Sequence, residues 1–178
     1  MIDPLIVLII SASLALLFFM AARHKMSDPH RFKAQLAAYE LVPQALLPVS
    51  ARALPLLEMA LVFMLLVPFT RAFAAVIAAL LLSVYALAMA VNMLRGRTDI
   101  DCGCGDQPQL LSYWLLLRNL VLIAGSCLLI VPAGGRALVW ADAILLVLMT
   151  AVLAMVYLMV EQLVRNHSFF DNRSSSNG

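Results

Sequence analysis

Charge is what this sequence has least of. Its 178 residues include 12 Lys or Arg and 10 Asp or Glu, while 64% are apolar. A soluble domain carries about twice that share of charge. So few charges cannot cover a water-soluble globule, which excludes a soluble enzyme, a secreted disulfide scaffold and a disordered tail protein. A net charge of +2 is too small to point to nucleic acid as a partner. Three cysteines are too few for a disulfide framework. No phosphate loop, Ser/His/Asp arrangement or haem-attachment motif is present. No pair of Gly/Pro-broken spans and no inverted repeat suggests a transporter.

What is present is long apolar runs. A bilayer core about 30 Å thick needs about 20 apolar residues per helix. Five segments qualify, 5–22, 53–69, 72–94, 113–131 and 137–160. They lack the alternation of barrel strands, so the fold class is an all-α integral membrane bundle of four to five transmembrane helices. Residues 1–170 read as one domain, and the Ser/Asn-rich stretch 171–178 as a disordered tail. The first span is preceded by Met1-Ile2-Asp3-Pro4, without Lys or Arg, and followed by Arg23-His24-Lys25. It reads as a retained helix rather than a cleaved signal.

Between the first two spans, Asp28-Pro29 is a helix start. Phe32, Leu36 and Tyr39 follow at i, i+4 and i+7. This predicts one amphipathic helix lying at the membrane interface, with Arg31 and Lys33 toward lipid phosphates. With five spans, one side holds nine basic residues: Arg23, Lys25, Arg31, Lys33, Arg52, Arg95, Arg97, Arg165 and Arg173. The other holds two, Arg71 and Arg136. The positive-inside rule then places the N-terminus outside, and the loop 96–112 with the C-terminus in the cytoplasm.

That loop carries the chemistry. It contains Arg97, Asp99, Asp101-Cys102-Gly103-Cys104-Gly105 and Asp106. Two residues apart, alpha carbons come within about 5.5–7 Å, near the limit for a disulfide. Gly103 supplies the backbone freedom to close so small a ring. A bridge of that kind is strained, easily reduced and a good oxidant, which is the behaviour of a thiol-exchanging pair. Three readings stay open: a redox pair, a loop with structural cysteines, and a metal or intermolecular bridge. Two thiolates are fewer than a metal site uses, and no histidine lies in the loop, so no metal is assigned. Arg95 and Arg97 favour thiolate, whereas Asp99, Asp101 and Asp106 oppose it. Cys127, deep in the fourth span, reads as a packing residue.

Glu58, Arg118 and Asp142 fall within the spans, where charge is costly. Each lies within about two turns of a helix end, so two readings stay open: independent snorkelling, or an intramembrane pair of Glu58 with Arg118, with Lys25 as a competitor for Glu58. Asn92 and Asn119 flank the cysteine loop, placed to tie helix ends or line a polar pocket beneath it.

Several of these pieces occur together in one order. They are His24-Lys25-Met26-Ser27-Asp28-Pro29 with Phe32, then Leu41-Val42-Pro43, Leu54-Pro55-Leu56-Leu57-Glu58, Thr70-Arg71, and Asn92 to Asp106 with its Cys-Gly-Cys. In that order the chain resembles the MauE family of methylamine-utilisation membrane proteins, and more widely the DoxX-like redox-associated membrane proteins. The resemblance implies a multi-pass protein of the bacterial inner membrane. It implies a part in maturing the disulfide-rich small subunit of methylamine dehydrogenase, beside a thioredoxin-like, MauD-type partner. Cys102 and Cys104 would then be the exchanging thiols, supported by Gly103, Gly105, Asp101 and Arg97. No resident cofactor is implied, although a quinone-linked role near Glu58 and Arg118 is a further DoxX-like reading. A membrane scaffold for the thioredoxin-like partner, with structural cysteines, is the alternative. A periplasmic substrate would want the loop outside, opposite to the charge count.

Overall fold

The computed structural model describes residues 2–97, 100–102 and 110–175, with the side chains of 161 and 164–175 left aside. It is a helical membrane bundle, as expected. The helices are α1 (Pro4–Ser27), α2 (Pro29–Ala38), α3 (Leu47–Leu66), α4 (Arg71–Leu94), α5 (Tyr113–Leu128) and α6 (Trp140–Ser175), with a 3₁₀ turn at Gln44–Leu46. Four segments are long and apolar enough to cross a membrane, namely α1, α3 together with its leading turn, α4, and Trp140–Val160 of α6. Helix α5 has 16 residues. At 1.5 Å per residue it reaches about 24 Å, short of the hydrocarbon thickness.

The chain forms two compact units, Met1–Arg136 and Ala137–Gly178. In the first, α1 packs on α3, α3 on α4, α4 on α5, and α2 on α3. Periodicity explains the first pairing. The buried stripe of α1 is Val7, Ser11, Leu14, Ala15, Phe18, Ala22 and Lys25. That of α3 is Leu47, Ala51, Pro55, Glu58, Leu61, Val62 and Leu65. Both repeat every three to four residues, the period of one helix face. Helix α4 contributes Ala74, Ala75 and Ala78, all fully buried. Small side chains let membrane helices approach closely where lipid supplies no hydrophobic drive.

Caps set several boundaries. Asp28 ends α1 and begins α2, its carboxylate accepting from the Arg31 N–H at 3.0 Å. Proline at 29 drives residue 28 out of helical geometry. The helix expected after Asp28-Pro29 is therefore present. Helix α4 closes on Gly96, whose φ of +73° suits glycine. There the Gly96 N–H donates to the Met93 carbonyl at 3.0 Å and the Arg97 N–H to that of Asn92 at 2.9 Å. At the far end of this unit, Asp3 caps α1 through the Leu5 N–H at 2.8 Å and receives Arg136 Nε at 3.2 Å. A bridge of Ile2 with Ala133 ties the N-terminus to the segment after α5.

The second unit is α6 alone with its approach. The Asp142 carboxylate accepts from the Val139 N–H at 2.8 Å, reaching back to the residue before the helix. An acidic side chain there satisfies an orphan donor and meets the positive end of the helix. Asp142 thus lies in the first turn of the apolar helix, as its position near the span start implies, and satisfies the backbone there. The helical backbone continues beyond the expected span end at 160 as far as Ser175.

Because Ala78 has no free space around it, Ala78→Leu should destabilise the bundle by about 1–3 kcal/mol through overpacking. The outward-facing Leu80→Ala should do much less. Thermal unfolding of the purified variants in one detergent compares them; equal midpoints would show that α4 does not pack closely through its alanines.

Candidate functional site

Two polar groupings occupy the first unit, one inside the bundle and one at the end where α2, the C-terminus of α4 and the start of α5 meet. In the inner one, Lys25 Nζ and Glu58 form a buried ion pair. The Tyr85 hydroxyl donates to the same Glu58 oxygen at 2.8 Å, and Lys25 Nζ reaches that hydroxyl at 3.3 Å. The ammonium also lies 4.8 Å from the Tyr85 ring centre and 5.1 Å from that of Phe32. Aromatic faces stabilise a desolvated cation. Glu58 Oε2 has no hydrogen-bond partner among the described residues.

This corrects the reading that pairs Glu58 with Arg118. The physical reason is helix length and phase. Helix α1 runs on to Ser27, so Lys25 is not a loop residue but the last member of the inward stripe. Helix α3 begins at Leu47 rather than 53, which sets Glu58 three turns into the helix and within reach of Lys25. Arg118 lies half-buried on α5. The one cleft described, of about 490 Å³, lies elsewhere, against Lys33, Glu40, Val42, Gln44 and Leu47.

The second grouping holds the start of the cysteine loop. Arg31, Gln35 and Tyr39 recur every four residues, so they share a face of α2 and the turn that follows. Asp101 accepts from Gln35 Nε2 at 2.6 Å and from Arg31 Nη2 at 3.3 Å. The Tyr39 hydroxyl stands 3.5 Å from the Cys102 carbonyl oxygen, the outer limit of a hydrogen bond. Beside them Arg97 meets Glu40 with both nitrogens, at 2.7 and 3.0 Å. Glu40 is in the left-handed region at φ 51°, the sharp turn that ends α2. Asn92, fully buried, donates to the carbonyls of Tyr39 at 3.2 Å and Ala88 at 3.1 Å. It ties α4 to the end of α2. Asn119 instead bonds within its own helix, to the Leu115 carbonyl at 3.1 Å.

Under this polar layer lies an apolar one. Tyr39, Met89, Ile100, Leu111 and Leu115 form a buried cluster, and half-buried Cys102 packs against it. A backbone bridge between Asp101 and Leu110 closes the loop at its base. Gly103, Cys104, Gly105 and Asp106 lie outside the described residues, as does Asp99. Of the expected site residues, Asp101, Cys102, Arg97 and Asn92 gather here, whereas Glu58 belongs to the inner pair. Arg31, which the sequence places toward lipid phosphates, bonds Asp101, because its helical phase follows Gln35 and Tyr39. The signal available in the sequence was that four-residue spacing of polar residues next to the apolar stripe. Cys127, expected to pack, is exposed near the C-terminal end of α5. Among the described residues no group of three or more His, Cys, Asp and Glu could hold a metal ion.

Comparison with known proteins matches residues 3–132 to the family described as methylamine utilisation protein MauE. The chain is 41% identical over 126 residues to the methylamine utilization protein MauE of Paracoccus denitrificans, covering 70% of this chain and 68% of that one. It is 34% identical over 167 residues to the protein of that name from Methylophilus methylotrophus, covering 91% and 87%. The corresponding protein of Paracoccus versutus is 37% identical over 142 residues, 76% of each chain. No solved structure matches.

Truncating one member of a buried ion pair leaves the other charge unmatched, typically a loss of roughly 3–5 kcal/mol. Lys25→Met and Glu58→Leu should therefore each lower the unfolding midpoint strongly. The double variant should unfold closer to the wild type than either single one. A double variant as unstable as the two losses added together would show that the pair is not coupled.

Proposed function

The chain belongs to the MauE family and is a multi-pass membrane protein with a role in methylamine utilisation, and on that footing we propose that it is a thiol–disulfide maturation factor of the bacterial inner membrane. Cys102 and Cys104 form its exchanging pair, with Gly103 and Gly105 giving the loop its freedom. The substrate is the small subunit of methylamine dehydrogenase, and a thioredoxin-like, MauD-type protein is the redox partner.

The observation that supports this reading most is the mounting of Cys102. The residue before it is gripped by Arg31 and Gln35, and the thiol-bearing residue rests on a buried apolar cluster. A loop needed only to join two helices has no use for contacts from a helix some 70 positions earlier. The Asp101–Leu110 bridge holds the loop at its base, with Cys102 at one end of the bundle.

The chemistry is two successive exchanges. A substrate thiolate attacks one sulfur of the Cys102–Cys104 disulfide, and that bond breaks as the mixed disulfide forms. A second substrate thiolate attacks the mixed disulfide. The substrate leaves oxidised by two electrons, and both cysteines of this chain are left as thiols. The disulfide of the thioredoxin-like partner takes those two electrons in the same manner and restores the pair. No group beyond thiols and disulfides is needed.

Replacing Cys102 and Cys104 by Ser should abolish maturation of the dehydrogenase small subunit while the variant still accumulates in the membrane. Near-normal maturation would instead identify a scaffold whose cysteines are structural. A membrane-impermeant maleimide, applied to intact cells carrying Cys127→Ser with and without prior reduction, reads the side and state of the pair. Labelling only after reduction marks an outward-facing disulfide; labelling confined to inverted vesicles excludes direct oxidation of a periplasmic substrate.

A further inference from the structure

Among the described residues near Cys102, charges meet in pairs. Glu40 and Asp101 are the carboxylates described there, and each faces a guanidinium, Arg97 and Arg31 respectively. The two pairs are not equivalent. Glu40 stands well out in solvent, whereas the Asp101 side chain is only 19% exposed and adjoins the half-buried cysteine in sequence. A carboxylate there, if unmatched, would disfavour the thiolate directly, with little water between to screen it. A thiol packed against Ile100, Leu111 and Leu115 already meets an apolar surface that opposes ionisation. The thiolate is the form that attacks a disulfide, so the sign of this local field decides whether the residue can act.

We propose that Arg31, assisted by Gln35, is a positioning residue for the Cys102 thiol: it fixes Asp101 and neutralises it, which keeps the neighbouring sulfur able to ionise. Its importance to the cell rests on the redox reading above; its effect on the thiol does not. Arginine suits the task because its guanidinium keeps its charge throughout the range in which a thiol titrates. Gln35 fills a second lone pair of the Asp101 carboxylate at 2.6 Å without adding charge, which orients the group while leaving compensation to Arg31. Among the described residues, Arg31, Gln35 and Tyr39 from α2 and its turn bond to the segment. Arg97 and Glu40 pair with each other, while the Arg31–Asp101 pair acts on the residue next to Cys102. The amphipathic helix is thus a bracket for the loop, through the half-buried Arg31 and Gln35.

The sign follows directly. Without Arg31, Asp101 is left negative beside the thiol and the thiolate forms only at higher pH. The test uses the full chain in detergent with Cys104→Ser and Cys127→Ser, so that Cys102 is the one thiol, and follows its alkylation by iodoacetamide across a pH series. Arg31→Gln should move the inflection of the rate profile upward and slow alkylation below it about threefold, the effect of half a pH unit. The plateau at high pH should stay where it was. Asp101→Asn alone should move the inflection downward, and adding it to Arg31→Gln should restore the parent profile. Arg31→Lys, which keeps the charge, should also stay near the parent. If Arg31 were only a mechanical tie, Arg31→Gln would change the plateau, and Asp101→Asn would not rescue it. Either that pattern or an unchanged profile overturns the proposal. The redox reading fails separately: wild-type chain equilibrated in glutathione buffers would then show no Cys102–Cys104 disulfide, whatever the alkylation profile.

Discussion

An ammonium and a carboxylate enclosed in an apolar bundle have to neutralise each other, and much of this structure is consistent with that requirement. Lys25 and Glu58 lie on the buried stripes of two helices that otherwise meet almost wholly through apolar side chains. Apolar stripes of this kind can slide by a turn at small cost, because lipid is as apolar as leucine. An ion pair cannot slide without leaving a charge bare in a medium that screens poorly. The pair therefore fixes the register of α1 against α3. Tyr85 brings α4 into the same arrangement by donating to Glu58. Phe32 brings in α2 by lying against the Lys25 ammonium.

That last contact matters for the loop. Helix α2 begins directly after α1, so whatever locks the end of α1 also locks the root of α2. From that root Arg31 and Gln35 reach Asp101, and the turn after α2 meets Asn92 and Arg97 at the end of α4. A continuous series of contacts thus runs from the ion pair inside the bundle to the residue before Cys102. The exposed Arg97–Glu40 pair contributes little stability singly, since surface ion pairs are typically worth about 0–1 kcal/mol. The value of these contacts is geometric. They define where the segment 100–102 sits, with Ile100 buried beneath it.

The sequence was informative where the physics is local. Long uncharged runs, the Asp-Pro helix start and the Cys-Gly-Cys spacing are each legible without a partner, and α4 falls within a residue of its expected bounds. Errors arose where a residue's role depended on helical phase. Lys25 was counted among loop cations because an apolar run stops at Ala22, yet helices do not end where hydrophobicity ends. Three further residues of helix turn Lys25 inward. Asp142 is legible as an acid near a span start, but its bond to the Val139 N–H is a matter of local backbone geometry that only the structure shows.

Composition alone determined that this chain is a membrane protein of helices, because a surface so poor in charge cannot face water and a backbone in lipid must bond within itself. Residue order alone determined where the thiols are and the family resemblance. Tertiary structure decided which charges meet. Opposite charges in a sequence specify only that partners are needed. Which pairs form depends on the facing of helices separated by dozens of residues, set by packing of their apolar stripes. For that reason Glu58 takes Lys25 rather than Arg118, and Arg31 meets Asp101 across dozens of residues.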